Sequence, residues 1–245
     1  MSDPALANSG NRLEGIPLLA SLTREELTDL AKRCRWRRYR LHEQIVDRDS
    51  TDSDVYFLVS GAVQIVNYSL AGREIAFATL PPGSFFGELS AIDGEPRSAT
   101  VVAVKESLLA SMPAPIFLQL ASRHPEVGLR LLRRLASIVR TNTERIMDLS
   151  TLGAVQRVYV ELIRVAEGCR PGSQVREWQI SPAPTQKEIA GLASTTRETV
   201  ARSMSMLISG GILAREGRAI RVRDFDRLQR LAGAMQAELN EGFPA

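Results

Sequence analysis

The chain has 245 residues, 44% hydrophobic and 24% charged, with a formal net charge of +3, which suits a soluble globular protein large enough for two domains and excludes a membrane-spanning one, since no apolar run approaches the roughly 20 residues a span needs. Two cysteines without CxxC spacing and only two histidines argue against a disulfide framework, a zinc site or an iron–sulfur cluster. The N-terminus MSDPALANSGNRLEG has neither the basic nor the apolar region of a secretion signal, so a cytoplasmic location is expected.

Residues 1–150 carry equal numbers of basic and acidic side chains, so the whole positive excess lies in residues 151–245. A mild C-terminal excess suits a polyanionic partner without requiring one. In chain order, LEGIPLLASLTREELTDLAKRC, residues 13–34, places apolar residues at helical spacing and predicts short helices. From Trp36 to Met112 the texture changes to β-branched and aromatic segments such as DVYFLVSGAVQIVNYS and REIAFATL, punctuated by Gly61, Gly72, Gly83 and Gly94. Short strands with regular turn signals predict an all-β barrel or jelly roll.

After Pro125 the pattern is helical. Leu132, Leu135, Val139, Asn142, Ile146 and Leu149 alternate spacings of three and four, a heptad seam suited to a parallel coiled-coil partner. The stripe could also pack on its own barrel; its narrowness and the flanking Arg133, Arg134, Arg140 and Arg145 favour a dimer seam. Beyond it, VQRVYVELIRVAEG predicts a helix and CRPGSQVREWQISPAP a loop with one strand. ILAREGRAIRVRDF predicts two strands turning at Gly217, and DRLQRLAGAMQAEL a terminal helix.

Two stretches carry chemistry. The first is FGELSAIDGEPRSAT, residues 86–100. Small residues let a ligand approach the backbone closely. Gly87, Glu88, Leu89 and Ser90 follow a predicted strand, and a short helix starting there aims backbone N–H groups at an anion. Arg97 can close on the same anion with two-pronged, charge-assisted hydrogen bonds. Glu88 is too acidic to face a phosphate and can accept from a sugar hydroxyl. Phosphate, ribose and small walls describe a compact nucleotide. The residues alone leave a plainer alternative, an Arg97–Glu88 ion pair in a tight loop.

The second stretch is PTQKEIAGLASTTRETVARSMSMLISGGIL, residues 184–213. Thr185 with Glu188 has capping-box spacing and starts a helix with Ile189 and Leu192 on its apolar face. Thr195 with Glu198 repeats the spacing and starts a second helix, with Val200, Met204 and Leu207 buried and Gly210-Gly211 as its stop. Two such helices with a short turn make a helix-turn-helix. Its second helix exposes Thr196, Arg197, Glu198 and Arg202. Arg reads guanine O6/N7 and Glu accepts from cytosine N4, so this face can read G·C pairs. The plainer alternative is a solvated charged face.

FGELSAIDGEPRSATVVA resembles the phosphate-binding cassette of cyclic-nucleotide-binding domains almost residue for residue, and RETVxR at Arg197–Arg202 resembles the recognition helix of the catabolite activator (CRP/FNR) family. The resemblance spans roughly Leu13 to Val222. It implies an α+β chain with a β jelly-roll cyclic-nucleotide-binding domain over 13–124, a dimerisation helix over 125–150 and a winged helix-turn-helix DNA-binding domain over 151–245. It implies ligand contacts at Gly87, Glu88, Leu89, Ser90, Arg97 and Ser98. It implies base contacts by Arg197, Glu198 and Arg202, phosphate contacts by Thr185, Thr196 and Thr199, and a wing bearing Arg218 and Arg221. The family's adenine-contacting pair falls on Asn142 and Thr143, and its usual turn glycine on Ser194. Asn142 can hydrogen-bond a purine edge, and an Asn at a seam position also commonly fixes coiled-coil register.

The resemblance further implies cyclic AMP as the preferred allosteric ligand, with cyclic GMP second and no metal. Expected partners are a second copy of the chain, double-stranded DNA with inverted TGTGA-like half-sites, and RNA polymerase, whose contact surface would lie near Cys169–Trp178; no membrane is expected. No paired-carboxylate, nucleophile–base or metal set points to an enzyme. Two other readings stay open: a family member that binds DNA without ligand, and a cyclic-nucleotide module that gates a protein partner.

Overall fold

The computed structural model describes residues 13–68, 74–169 and 178–240, and the chain divides into two compact units between Val139 and Arg140. The first unit opens with a 3-10 turn, Pro17–Leu19, and helix α1, Arg24–Arg33. A reciprocal cap starts α1: the Thr23 hydroxyl accepts from the Glu26 N–H at 3.3 Å and the Glu26 carboxylate accepts from the Thr23 N–H at 2.7 Å. Eight strands follow: β1 Arg35–Tyr39, β2 Gln44–Val46, β3 Val55–Ser60, β4 Val63–Tyr68, β5 Glu74–Leu80, β6 Phe85–Phe86, β7 Thr100–Ala103 and β8 Ser107–Met112.

These strands make two antiparallel sheets, ordered β1-β8-β3-β6 and β2-β7-β4-β5. Tyr39, Val46, Leu58, Val63, Leu80, Phe86, Val101 and Leu109 fill the space between them, as a jelly roll requires. Strands β3 and β8 are apolar on both faces because both faces are covered. Leu58 and Leu109 point into the intersheet core, while Val55, Phe57, Ala110 and Met112 join a second core with Leu19, Leu30, Phe117, Val127 and Leu131. Covering on both sides explains why VYFLV and SLLASM run apolar rather than alternating.

Helices α2 Glu88–Asp93 and α3 Ala114–Arg123 complete this unit together with the first part of the 27-residue α4, Pro125–Thr151, which runs on past Val139 into the second. Val127 and Leu131 anchor the start of α4 in the helical core. Of the predicted seam, Leu132, Val139 and Ile146 are 63%, 64% and 63% exposed, and Leu149 and Asn142 are exposed too. Leu135 departs from that expectation. It is half-buried against the core of its own unit, because α4 still lies on that core one turn after Leu131.

The second unit holds α5 Ala154–Gly168, β9 Trp178–Ile180, α6 Gln186–Leu192, α7 Arg197–Ser209, β10 Leu213–Glu216, β11 Ala219–Val222 and α8 Phe225–Asn240. The small antiparallel sheet runs β10-β11-β9, and its hairpin turns at Gly217 with φ of +59°. Val158, Leu162, Ile189, Val200, Leu207, Ile220 and Leu228 form the core beneath it. The end of α4 is tied to α5 through buried Glu161, which pairs with Arg145 at 3.4 Å and Arg164 at 2.9 Å. Arg164 also meets Asp148 at 2.7 Å.

Helix α7 corrects one reading. Its N-cap is Thr196, not Thr195. The Thr196 hydroxyl accepts from the Thr199 N–H at 3.3 Å. Thr195 is buried and its N–H donates to the Ala190 carbonyl at 2.9 Å, sealing the turn behind α6. The backbone therefore becomes free to enter the helix only at the second threonine.

Candidate functional site

The nucleotide cassette is built where β6 ends. Gly87 is the N-cap of α2 with φ of +86°, a conformation that favours glycine. Space enforces it as well: a Cβ there would lie 2.5 Å from Arg97 Nη1 and 2.8 Å from the Asp54 carbonyl oxygen. Glu88 and Ser90 turn inward and are buried, whereas Leu89 faces out. The Ser90 carbonyl accepts from the Gly94 N–H at 3.1 Å and closes the short helix.

Arg97 returns to the same spot. Its backbone is pinned to the loop after β2, with its N–H donating to the Ser50 carbonyl and its carbonyl accepting from the Asp49 N–H, both at 2.9 Å. The side chain is 3% exposed. Nη1 donates to the Gly87 carbonyl at 2.9 Å, and Nη2 donates to the Asp54 carbonyl at 2.7 Å and to the Asp52 carboxylate. The guanidinium lies 5.7 Å from the centroid of the Tyr56 ring, which stacks on Phe86 at 5.1 Å. Nε is buried and has no hydrogen-bond partner. The carboxylate that pairs with Arg97 is thus Asp52; an Arg97–Glu88 pair is not what fills this loop.

Electrostatics follow from burial. Desolvation pushes the Glu88 carboxyl above the ordinary carboxylate range, against the opposing pull of its own backbone N–H and of Arg134 and Arg97. Asp52 goes the other way: partial burial raises it, but the hydrogen bonds from Arg97 and Ser50 outweigh that and hold it low. Burial pushes the Tyr56 phenol up to about 12. The site is therefore a fixed cation with a nearby carboxyl reluctant to ionise, a combination suited to one anionic group and a neighbouring hydroxyl. Ser98 is exposed, and its carbonyl accepts from the Asn67 amide at 3.2 Å.

Asn142 and Thr143 are side by side on the exposed surface of α4, in the part that belongs to the second unit. The helix pair α6–α7 presents the other predicted residues. Thr185 caps α6, accepting from the Glu188 N–H at 3.2 Å while Glu188 accepts from the Thr185 N–H at 2.6 Å. Arg197, Glu198 and Arg202 are exposed on the first turns of α7, and Thr199 is half-buried. Backbone N–H and the Thr196 hydroxyl hold Glu198 below the ordinary carboxylate range, with Arg197 and Arg202 adding to it, so it stays an ionised acceptor. Ser194 takes the turn glycine's place with φ of +48°, the left-handed conformation that position demands. Arg157 of α5 supports this turn: it donates to the carbonyls of Ala193 at 2.9 Å, Ser194 at 3.1 Å and Leu152 at 2.8 Å.

Sequence reasoning missed Asp52, Asp54, Tyr56 and Arg157. The first three stand more than 40 residues before Arg97, and only the apposition of β3 with β6 brings them there. Nothing local marks Arg157, whose role depends on three backbone carbonyls. The surface suggested for polymerase contact, 169–178, lies outside the described residues except at its two ends.

The cyclic nucleotide-binding domain family matches residues 36–124, and the Crp-like helix-turn-helix domain family matches residues 156–231. The chain is 32% identical, over 222 residues, to the cyclic AMP receptor protein of Thermus thermophilus, covering 90% of this chain and 98% of that one. It is 31% identical over 180 residues to the CRP-like cAMP-activated global transcriptional regulator of Mycobacterium tuberculosis, covering 73% and 79%. Its fold is similar to that of FixK2 from Bradyrhizobium japonicum, with a TM-score of 0.68 at 24% identity over 81% of this chain and 96% of that one.

Proposed function

The chain belongs to the family of CRP-like, cyclic-nucleotide-binding transcription regulators, which are not enzymes, and we propose that it is a homodimer whose affinity for inverted-repeat DNA is set by cyclic AMP, with cyclic GMP the weaker ligand. One observation carries the nucleotide half: a buried guanidinium with an unpartnered Nε, beside a glycine position that admits no side chain. A buried cation of this kind fits a cyclic phosphodiester. In this reading Arg97 and the Gly87–Ser90 backbone hold the phosphate, with the Leu89 side chain outside and Ser98 adding a hydroxyl. Glu88 accepts from the ribose hydroxyl. Asn142 and Thr143 are the residues we assign to the base. The names of the relatives from Thermus thermophilus and Mycobacterium tuberculosis, both tied to cyclic AMP, support that choice of ligand.

For the DNA half we assign Arg197, Glu198 and Arg202 to base edges, and Thr185, Thr196 and Thr199 to phosphates. Half-sites of the TGTGA type suit an Arg–Glu–Arg reader. The exposed apolar stripe of Leu132, Val139, Ile146 and Leu149 supports dimerisation through α4. A dimer places two recognition helices about 34 Å apart, one DNA turn, when it engages an inverted repeat. Such a regulator works in the cytoplasm, and RNA polymerase is the third partner we assign. The ligand changes DNA affinity only through the difference in its affinity for the two protein states.

Calorimetry with cyclic AMP and cyclic GMP tests the reading. We expect cyclic AMP to bind more tightly and Arg97→Leu to lose at least about 100-fold, the equivalent of two charge-assisted hydrogen bonds. Equal affinity in the variant overturns it. A second reading, DNA binding without ligand, is favoured by Asp52, which already supplies Arg97 with a counter-charge. DNA affinity that ignores cyclic AMP would select it.

A further inference from the structure

We propose that Asp52 is a resident counter-ion that competes with the ligand phosphate for Arg97 and so sets the affinity of the nucleotide site. The inference rests on the cyclic-nucleotide reading above and adds a determinant to it.

A guanidinium offers two forked edges, Nε with Nη2 and Nη1 with Nη2, and both include Nη2. Here both Nη2 hydrogens are taken, by the Asp52 carboxylate and by the Asp54 carbonyl at 2.7 Å. Nε is the buried nitrogen without a partner. No protein acceptor occupies Nε, but a phosphate that takes the Nε–Nη2 edge must displace one of the two acceptors on Nη2.

The Asp54 carbonyl is the fixed one. Its own carboxylate is held by Arg35 at 2.5 Å, and the next residue, Val55, begins β3 in register with Met112 of β8. Asp52 sits in the loop before β3, its side chain is 46% exposed, and its other anchors are the Ser50 hydroxyl at 2.9 Å and the backbone N–H of Asp54. Half exposed and on a loop, it is the one of the two acceptors that can turn its carboxylate away from Arg97 toward water.

Charge balance points the same way. A guanidinium buried this deeply requires one counter-charge, and Asp52 provides it when no phosphate is bound. With the phosphodiester in place, a second anion on the same guanidinium would leave an excess negative charge in a poorly solvated site. Phosphate binding is therefore an exchange of anions, and the observed affinity is the difference between two pairings rather than the strength of one.

The test is calorimetry with cyclic AMP on the full chain as wild type, Asp52→Asn and Asp52→Glu, with ligand-free melting as the check of folding. The neutral Asn variant is expected to bind about three- to fivefold more tightly, the scale of a partly exposed ion pair. The Glu variant, which keeps the charge, is expected to stay within about twofold of wild type. If Asp52→Asn does not fold, Asp52→Ala is read in its place. Wild type without measurable binding alongside a neutral variant that binds also supports the proposal. Unchanged or weaker binding in the neutral variant overturns it and makes Asp52 a residue that positions Arg97. A Glu variant as tight as the Asn variant overturns it as well. No binding by any chain refutes the cyclic-nucleotide reading itself, and the inference falls with it.

Discussion

Replacing Gly87 with alanine probes the cassette at its tightest point. The new Cβ would stand 2.5 Å from Arg97 Nη1 and 2.8 Å from the Asp54 carbonyl oxygen, and φ at this residue is +86°. A left-handed backbone costs a residue with a Cβ roughly 1–2 kcal/mol. Retreat of the guanidinium breaks its bond to the Gly87 carbonyl, and a hydrogen bond from a charged group is worth about 1.5–3 kcal/mol. Together these amount to about 3–5 kcal/mol, or a fall on the order of 10 °C in the melting of the jelly-roll unit. The same displacement moves the phosphate's partner, so Gly87→Ala should also weaken cyclic AMP by at least about 100-fold. Calorimetry and circular-dichroism melting read the two effects. A variant that melts and binds as wild type does would refute the claim that Arg97 is locked against this glycine.

Three further outcomes are expected. Ile146→Asp should leave the chain folded but monomeric by light scattering, since Ile146 is 63% exposed on α4 and has no core to lose; a persistent dimer would place the seam elsewhere. Glu198→Ala should relax preference at one base pair by about 1–3 kcal/mol in a binding selection, and an unchanged preference would remove that role. Glu88→Gln should melt higher than wild type at neutral pH while binding cyclic AMP less well. Burial raises the Glu88 pKa above its ordinary 4.5, so its contribution to stability is present below that value and lost as pH rises through the raised one. The melting advantage of the glutamine variant should therefore fade in melts run below that pH, and an advantage independent of pH would contradict the assignment.

What the sequence makes legible here is what is local. The cassette shows because Gly87, Glu88 and Arg97 act within ten residues of one another, and the helix-turn-helix shows because caps, apolar spacing and stops recur in one 30-residue stretch. The double-sided burial of β3 and β8 could be read from their unbroken apolar runs only once helices were known to cover the sheet. Asp52 stayed hidden because its pairing with Arg97 spans 45 residues and depends on how two loops meet. Thr195 and Thr196 offer the same capping chemistry side by side, and only the burial of the first decides between them. Leu135 fits the heptad as well as its neighbours do, yet the place where α4 leaves its own core is a tertiary fact.

Titrating a fluorescently labelled inverted-repeat duplex with the chain at fixed salt, with and without cyclic AMP, tests the central claim most directly. Ligand-controlled DNA binding through Arg97 predicts that cyclic AMP tightens the complex by roughly 5- to 150-fold, and that Arg97→Leu remains at the ligand-free affinity throughout. One DNA affinity for the wild type, the same with nucleotide as without, would contradict it.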